Sequence, residues 1–233
     1  MSRIGVLAAT AAVFLLSGAS IAAASPTMYD WSGVYFGIGA GYGTGSTTVT
    51  PTGMPGNFSE QPMSPSGALA NLEIDVEKQV NHAVFGIAGD VSLGKFHGDS
   101  GWSEDDSTNN PWTSDTGLLA SLRARLGVSV GSFLPYITGG LAYQSTDVVW
   151  TYENGELPTS NTHLSSLGWV IGAGLQVALS HGWSLQGEYD FSSFGNVTDP
   201  NIPFDDEGGP VLGGTINNNI SVVKFSLKHK FGP

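Results

Sequence analysis

Charged side chains recur at every second position in several segments of this sequence. Glu73, Asp75 and Glu77 are separated by single residues, and so are Arg123 and Arg125. A period of two places such residues on one face of a β-strand. The positions assigned to a common inner face are Glu73, Asp75, Glu77, Asp90, Arg123, Arg125, Glu188, Asp190, Lys224, Lys228 and Lys230.

Opposite charges enclosed in a narrow interior should pair, because an unpaired buried charge is costly. We therefore expect a salt-bridge network in which Arg123 and Arg125 face Glu188, Asp190 or Asp90. Two alternatives remain open at this point. The same charges could line an ion-conducting path, or they could form a gate in which ion pairs exchange partners.

Two other groups of residues could carry chemistry. His163 and Ser165 are two positions apart, but no acid on that segment could orient the histidine, so we expect no hydrolase and no other enzyme. Segments 97–115 and 196–217 are acidic and could bind calcium or magnesium, yet neither has the spacing of a calcium loop. We expect solvated charged loops there, with neither metal nor cofactor.

The first 24 residues have the organisation of a secretory signal peptide. Arg3 is followed by an apolar run and then by small residues up to Ala24. We predict cleavage after Ala24, which leaves residues 25–233 as one domain. A retained anchor helix is the alternative, but the apolar core is short and rich in alanine.

Composition excludes several functional classes. Without Arg3 the chain keeps seven Lys and Arg residues against 20 Asp and Glu residues, a formal charge of −13. Such acidity argues against nucleic-acid binding, which needs clustered cations. The absence of cysteine excludes disulfides and Cys-ligated metals.

The mature sequence alternates between apolar and small or polar residues. In residues 33–43 one face carries Val34, Phe36 and Ile38, and the other is almost entirely glycine. A crowded, narrow lumen would accept such a glycine face. After residue 24 no apolar run is long enough for a spanning helix, so a membrane form must be a closed barrel.

Eight segments of this kind are separated alternately by tight turns and long connections. This order predicts an all-β, antiparallel, up-and-down barrel that spans a membrane. The predicted strands are 32–44, 67–79, 83–96, 116–130, 134–149, 164–179, 183–195 and 218–231.

Aromatic residues cluster near the predicted strand ends. Trp31, Trp169, Trp183 and Phe231 are predicted to belong to aromatic girdles at the two membrane interfaces.

Several motifs, in order along the mature chain, resemble the alphaproteobacterial porin-family barrels, also known as outer-membrane immunogenic proteins. They are Tyr29-Asp30-Trp31-Ser32-Gly33-Val34-Tyr35, Phe85-Gly86-Ile87-Ala88-Gly89-Asp90, Arg123-Ala124-Arg125-Leu126-Gly127, the segment 134–143, Gly168-Trp169-Val170-Ile171-Gly172-Ala173-Gly174 and the segment 183–189.

The resemblance implies an eight-stranded barrel of the outer membrane protein A type, located in the outer membrane of a Gram-negative bacterium. Such proteins contribute to envelope integrity and are exposed to host immunity as surface antigens. Two features depart from the family pattern. Phe231 is followed by Gly232-Pro233 where such barrels usually end on an aromatic residue, and Gln176 stands where an acid is expected.

The function we expect is therefore structural: a barrel that stabilises the envelope and displays surface loops. The alternative is a small porin-like diffusion channel for ions or small solutes. The expected partners are outer-membrane lipids and lipopolysaccharide, the outer-membrane assembly machinery, and host or surface partners of the loops.

Overall fold

The computed structural model describes residues 29–51, 61–99, 112–150, 160–199 and 214–232. The predicted signal peptide lies outside these residues. No helix in the described part of the chain is long and apolar enough to cross a membrane.

Nine β-strands make up the described structure. β2 and β3 both pair with β1 and are separated only by Ser64 and Pro65. Pro65 has no N–H to donate to a sheet, but its carbonyl accepts the Gly45 N–H at 2.6 Å, so β2 continues β3. The bounds are β1 Gly33–Pro51, β2 Gln61–Met63, β3 Ser66–Val80, β4 Ala83–Asp99, β5 Trp112–Val128, β6 Phe133–Trp150, β7 Ser160–Ala178, β8 Trp183–Asp199 and β9 Gly214–Phe231.

These strands form one closed antiparallel barrel with eight positions around its wall. Each barrel strand pairs with the next in the chain, and β1 pairs with β9 from Val34↔Phe231 to Pro51↔Gly214. The prediction of an eight-stranded up-and-down barrel is confirmed. Most strands extend further at the long-connection end than predicted: the first continues to Pro51 rather than residue 44. These tips are rich in Thr, Ser and Asn and lack the apolar alternation on which the prediction depended.

The barrel is apolar outside and polar inside. Leu167, Ile87 and Ile137 face outward with 68%, 62% and 61% of their surfaces exposed. On β3 the alternation is strict, with Leu72, Ile74 and Val76 outside and the intervening acids buried. An apolar outer band is the arrangement that a lipid environment requires.

Tight turns close one end of the barrel, which we call the short-turn end. The turns after β3 and β7 contain the described non-glycine residues with positive φ, Asn81 at 56° and His181 at 59°. Gly131 and Gly182 supply the same left-handed conformation at φ 63° and 77°. The opposite end, where the long connections begin, is called the loop end.

The wall is not uniform near the loop end. Pairing between β7 and β8 stops at Trp169↔Ser193, although both strands continue. At this height Phe194 and Gly195 face the single residue Asn218 of β9, a β-bulge in which Gly195 has φ 66°. A bulge bends its strand. This one lies where the pairing of β8 with β7 ends, and the Phe194 side chain is buried in the lumen.

The inside-out arrangement predicts the effect of a charge on the outer face. Ile74 lies near the middle of β3 with 55% of its surface exposed. We expect Ile74→Arg to lower the free energy of unfolding by about 2–4 kcal/mol, the cost of a cation near the membrane midplane. Urea unfolding of the protein in lipid vesicles, followed by tryptophan fluorescence, measures this loss. The control is His82→Arg in an exposed turn; equal losses for the two variants would contradict a lipid-facing Ile74.

Candidate functional site: the ionic lumen

The lumen contains three layers of side chains. The aromatic plug at the short-turn end consists of Tyr29, Trp31, Tyr35, Val84 and Leu134. Ionic side chains fill the middle. The apolar cap above them, towards the loop end, consists of Leu69, Phe96, Ala142, Val170, Phe194, Ile220 and Val222.

The order of these layers follows from positions along single strands. On β4, Val84 belongs to the plug, Asp90 to the ionic layer and Phe96 to the cap. On β9, Lys228 and Lys224 lie below Ile220. Since inward residues recur at every second position, each strand contributes to all the layers that it crosses.

One half of the ionic layer, the lower cluster, consists of Glu73, Asp75, Glu77, Arg125 and Lys228. Arg125 Nη1 contacts Glu77 Oε1 at 2.8 Å, and Arg125 Nη2 contacts Glu73 Oε1 at 3.1 Å. Lys228 Nζ lies 2.9 Å from Glu73 Oε1 and also pairs with Asp75. All five side chains are at most 1% exposed.

The other half, the upper cluster, consists of Asp90, Glu188, Asp190, Arg123 and Lys224. Arg123 contacts Glu188 at 2.7 Å, Asp90 at 2.8 Å and Asp190 at 2.9 Å. Lys224 Nζ lies 2.7 Å from Asp190 Oδ2 and 3.2 Å from Glu188 Oε1. The guanidinium of Arg123 therefore connects β5 with β4 on one side and with β8 across the lumen.

Neutral side chains extend the ionic network, and Tyr136 joins its two clusters. The Tyr136 hydroxyl donates to Glu188 Oε2 at 2.7 Å, and its ring lies 4.0 Å from the Arg125 guanidinium carbon. Gln186 Nε2 donates to both oxygens of Glu73 at 3.1 Å. Gln176 accepts from Arg125 at 3.2 Å, which gives the amide at this position a role in the network.

The glycine face of β1 makes room for the lysines. A Cβ atom on Gly37 would lie 2.9 Å from Lys228 Cγ, and one on Gly41 would lie 3.1 Å from Lys224 Cγ. These distances are tighter than ordinary carbon contacts, so the alkyl stems of both lysines occupy the space that side chains on β1 would need. The glycine periodicity in the sequence thus has a packing cause.

The structure brings the charges singled out in the sequence into the two clusters, with one exception. Lys230 lies at the short-turn mouth and donates to the Asp30 carbonyl at 2.8 Å. Arg123 faces Asp90, Glu188 and Asp190, whereas Arg125 mainly faces Glu73 and Glu77 and reaches Glu188 only at 3.6 Å. The predicted set of lumen charges did not include the neutral partners Tyr136, Gln186 and Ser121, which donates to Asp90, although their inward parity was a usable signal.

The assignment of Trp31 to the aromatic girdle is wrong. Its side chain is 0% exposed and belongs to the plug, and the backbone N–H of Trp31 donates to Gln79 Oε1 at 2.9 Å. Trp31 has the parity of the inward-facing Tyr35, which directs it into the lumen. Trp169, Trp183 and Phe231 lie on the outer surface with 47%, 42% and 54% of their surfaces exposed.

The segment before β1 carries two groups with altered acidity. Burial raises the pKa of Tyr29. The backbone N–H of Ser32 donates to Asp30 Oδ1 at 2.9 Å and lowers the pKa of that carboxyl. A hydrogen bond to the charged form of an acid stabilises that form.

The other candidate chemistry falls outside the described side chains. This applies to His163 and to the acidic residues of segments 97–115 and 196–217. Among the described residues, no group of three or more His, Asp or Glu side chains is arranged to hold a metal ion.

A model of the outer membrane protein beta-barrel domain matches residues 9–228. The chain belongs to this family. The 25 kDa outer-membrane immunogenic protein of Brucella abortus is 27% identical over 207 residues, covering 87% of this chain and 80% of the relative. The 31 kDa outer-membrane immunogenic protein of Brucella melitensis is 24% identical over 243 residues, covering 96% and 93%.

Solved structures support the fold of this outer-membrane barrel. The outer membrane protein OprG of Pseudomonas aeruginosa superimposes with a TM-score of 0.53 at 13% identity. The match covers 86% of this chain and 97% of OprG. The family match and the outer-membrane relatives place the protein in the bacterial outer membrane, and the outer apolar band is consistent with a lipid environment.

The ionic lumen predicts a large loss of stability when one cation is removed. Arg125→Met would leave Glu73 and Asp75 with Lys228 as their partner and would remove the ion pair between Arg125 and Glu77. We expect the free energy of unfolding in vesicles to fall by about 3–5 kcal/mol, because breaking a buried pair leaves an uncompensated charge. Lys230→Met at the mouth is the matched control and should cost much less. Similar losses for both variants would show that the lower cluster does not stabilise the barrel.

Proposed function

We propose that this outer-membrane barrel is a structural, non-catalytic protein that contributes to envelope integrity and displays loops at the cell surface. The observation that carries the proposal is the filled lumen. Two clusters of ion pairs occupy its middle, with an aromatic plug below and an apolar cap above. Eight strands enclose an interior that is just wide enough for side chains to fill.

The filling opposes the passage of ions or solutes. A permeating ion would have to separate buried pairs such as Arg123–Glu188 at 2.7 Å and then pass the apolar cap. Separating such pairs leaves charges uncompensated in a medium of low dielectric. We therefore favour a structural role for the barrel over a role as a diffusion channel.

Surface display follows from the orientation that we propose. The short-turn end would face the periplasm, and the loop end, with segments 97–115 and 196–217, would face the outside. In barrels of this type the longer loops are extracellular. The Brucella relatives are named as immunogenic proteins; for this chain, we propose that the loops are the part that host or other surface partners contact.

Three further partners follow from the outer surface. Outer-membrane lipids would cover the apolar band, and lipopolysaccharide would contact its loop-end rim. The assembly machinery would engage the last strand near Phe231. There, His229 makes edge-to-face contacts with Trp183 and Phe231, with ring centroids 4.7 Å and 4.8 Å apart.

A diffusion channel is the second candidate function, and one observation favours it. A cavity of about 30 Å³ lies between the upper cluster and the cap and is lined by Asp90, Asp190 and Lys224 among others. Movement of the cap residues could join this cavity to the loop end. The two functions differ in one measurable property, which is conductance.

Single-channel recording of the refolded protein in a planar bilayer separates the two functions, with Arg123→Ala beside the wild type. We expect no steps from wild-type protein whose shifted mobility on an unboiled gel shows that it is folded. A variant that conducts beside a silent wild type would identify the ionic layer as the barrier. Reproducible wild-type steps that Arg123→Ala alters would overturn the structural proposal in favour of a channel.

A further inference from the structure

The two clusters share an unbalanced charge count. The lower cluster has three carboxylates and two cations, and the upper cluster also has three carboxylates and two cations. If every acid were ionised, each cluster would hold one excess negative charge. An uncompensated charge in such an interior is normally removed by neutralisation.

The upper cluster adjoins a cavity. Asp90, Asp190 and Lys224 line that cavity, which has room for a water molecule or two. Water there can solvate the excess charge. The lower cluster instead lies between the upper cluster and the aromatic plug, with Trp31 and Tyr35 both 0% exposed. All five of its side chains are at most 1% exposed, so its excess charge is shielded from bulk water.

Hydrogen bonding distinguishes the three acids of the lower cluster. Glu73 accepts bonds from Arg125 and Gln186, and Lys228 pairs with it, so both of its oxygens are engaged. Glu77 accepts through Oε1 from Arg125, but its buried Oε2 has no partner. Asp75 pairs with Lys228 through Oδ2, and its Oδ1 lies 3.5 Å from Arg125.

We propose that the lower cluster is a proton-binding site, which holds one proton among its three carboxyls at neutral pH. The proton reduces the charge of the cluster from one excess negative charge to zero. Two carboxylates that share a site cannot both ionise without a large cost. The charged and titratable groups outside the lower cluster that face it are Tyr29, Tyr35, Tyr136, Glu188 and Lys224.

The bound proton is a separate property from the proposed structural role. It concerns the ionisation of the lower cluster and does not depend on whether the lumen conducts ions. A conducting wild type would overturn the proposed function and leave the proton to be decided by its own spectroscopic test.

Infrared spectroscopy of the folded protein in vesicles tests the site directly. A protonated carboxylic acid has a C=O stretching band that carboxylates lack, and this band shifts in deuterium oxide. At pH 7 exposed acids are ionised, since their pKa values are about 4. We expect one such band in the wild type and its loss in both Glu77→Gln and Asp75→Asn, each of which balances the lower cluster at two acids and two cations.

Two further variants sharpen the test. Asp190→Asn removes an acid from the upper cluster and should leave the band intact. Lys228→Met removes a cation from the lower cluster and should roughly double the band, since a second carboxyl must then be neutralised. Unboiled gel mobility shows which samples are folded. A wild-type spectrum without the band, or a band that persists in both Glu77→Gln and Asp75→Asn, would overturn the proposal.

Discussion

The pairing of β1 with β9 closes the wall, and the other features of the molecule depend on this closure. A strand in lipid has no water to satisfy its N–H and C=O groups, so an open edge is costly. Eighteen residue pairs between β1 and β9 remove that edge. Closure also fixes the circumference, and a wall of eight strands leaves an interior only wide enough for side chains.

That narrow interior explains how a very acidic protein uses its few cations. The sequence has eight Lys and Arg residues against 20 acids, yet Arg123, Arg125, Lys224 and Lys228 are buried in the lumen. Each cation contacts at least two carboxylates. Glycines on β1 leave room for the alkyl stems of the two lysines, so the burial of these charges depends on the absence of side chains at the facing positions.

The strands and their inner faces were predictable because a period of two is encoded locally in each segment. The ion-pair partners were less predictable. Arg123 and Arg125 are two residues apart, but they face different strands. The tilt of the strands in the barrel decides which strands each arginine faces, and the alternation in the sequence does not reveal that tilt. Trp31 precedes β1, so proximity to a strand end suggested an interface although its parity indicated the lumen. The bulge at Phe194 and Gly195 leaves no periodic signal, because it interrupts the period.

The end of β7–β8 pairing at Trp169↔Ser193 has a consequence for variation among related proteins. Below this point, a one-residue insertion in either strand would exchange inner and outer faces. Above it, β7 and β8 are not hydrogen-bonded to each other, so a change of length at the loop end of one strand does not shift the register of the other. Substitutions and insertions driven by selection at the surface can therefore accumulate above Ser193 without altering the register of β7 and β8 between Ser193 and the short-turn end.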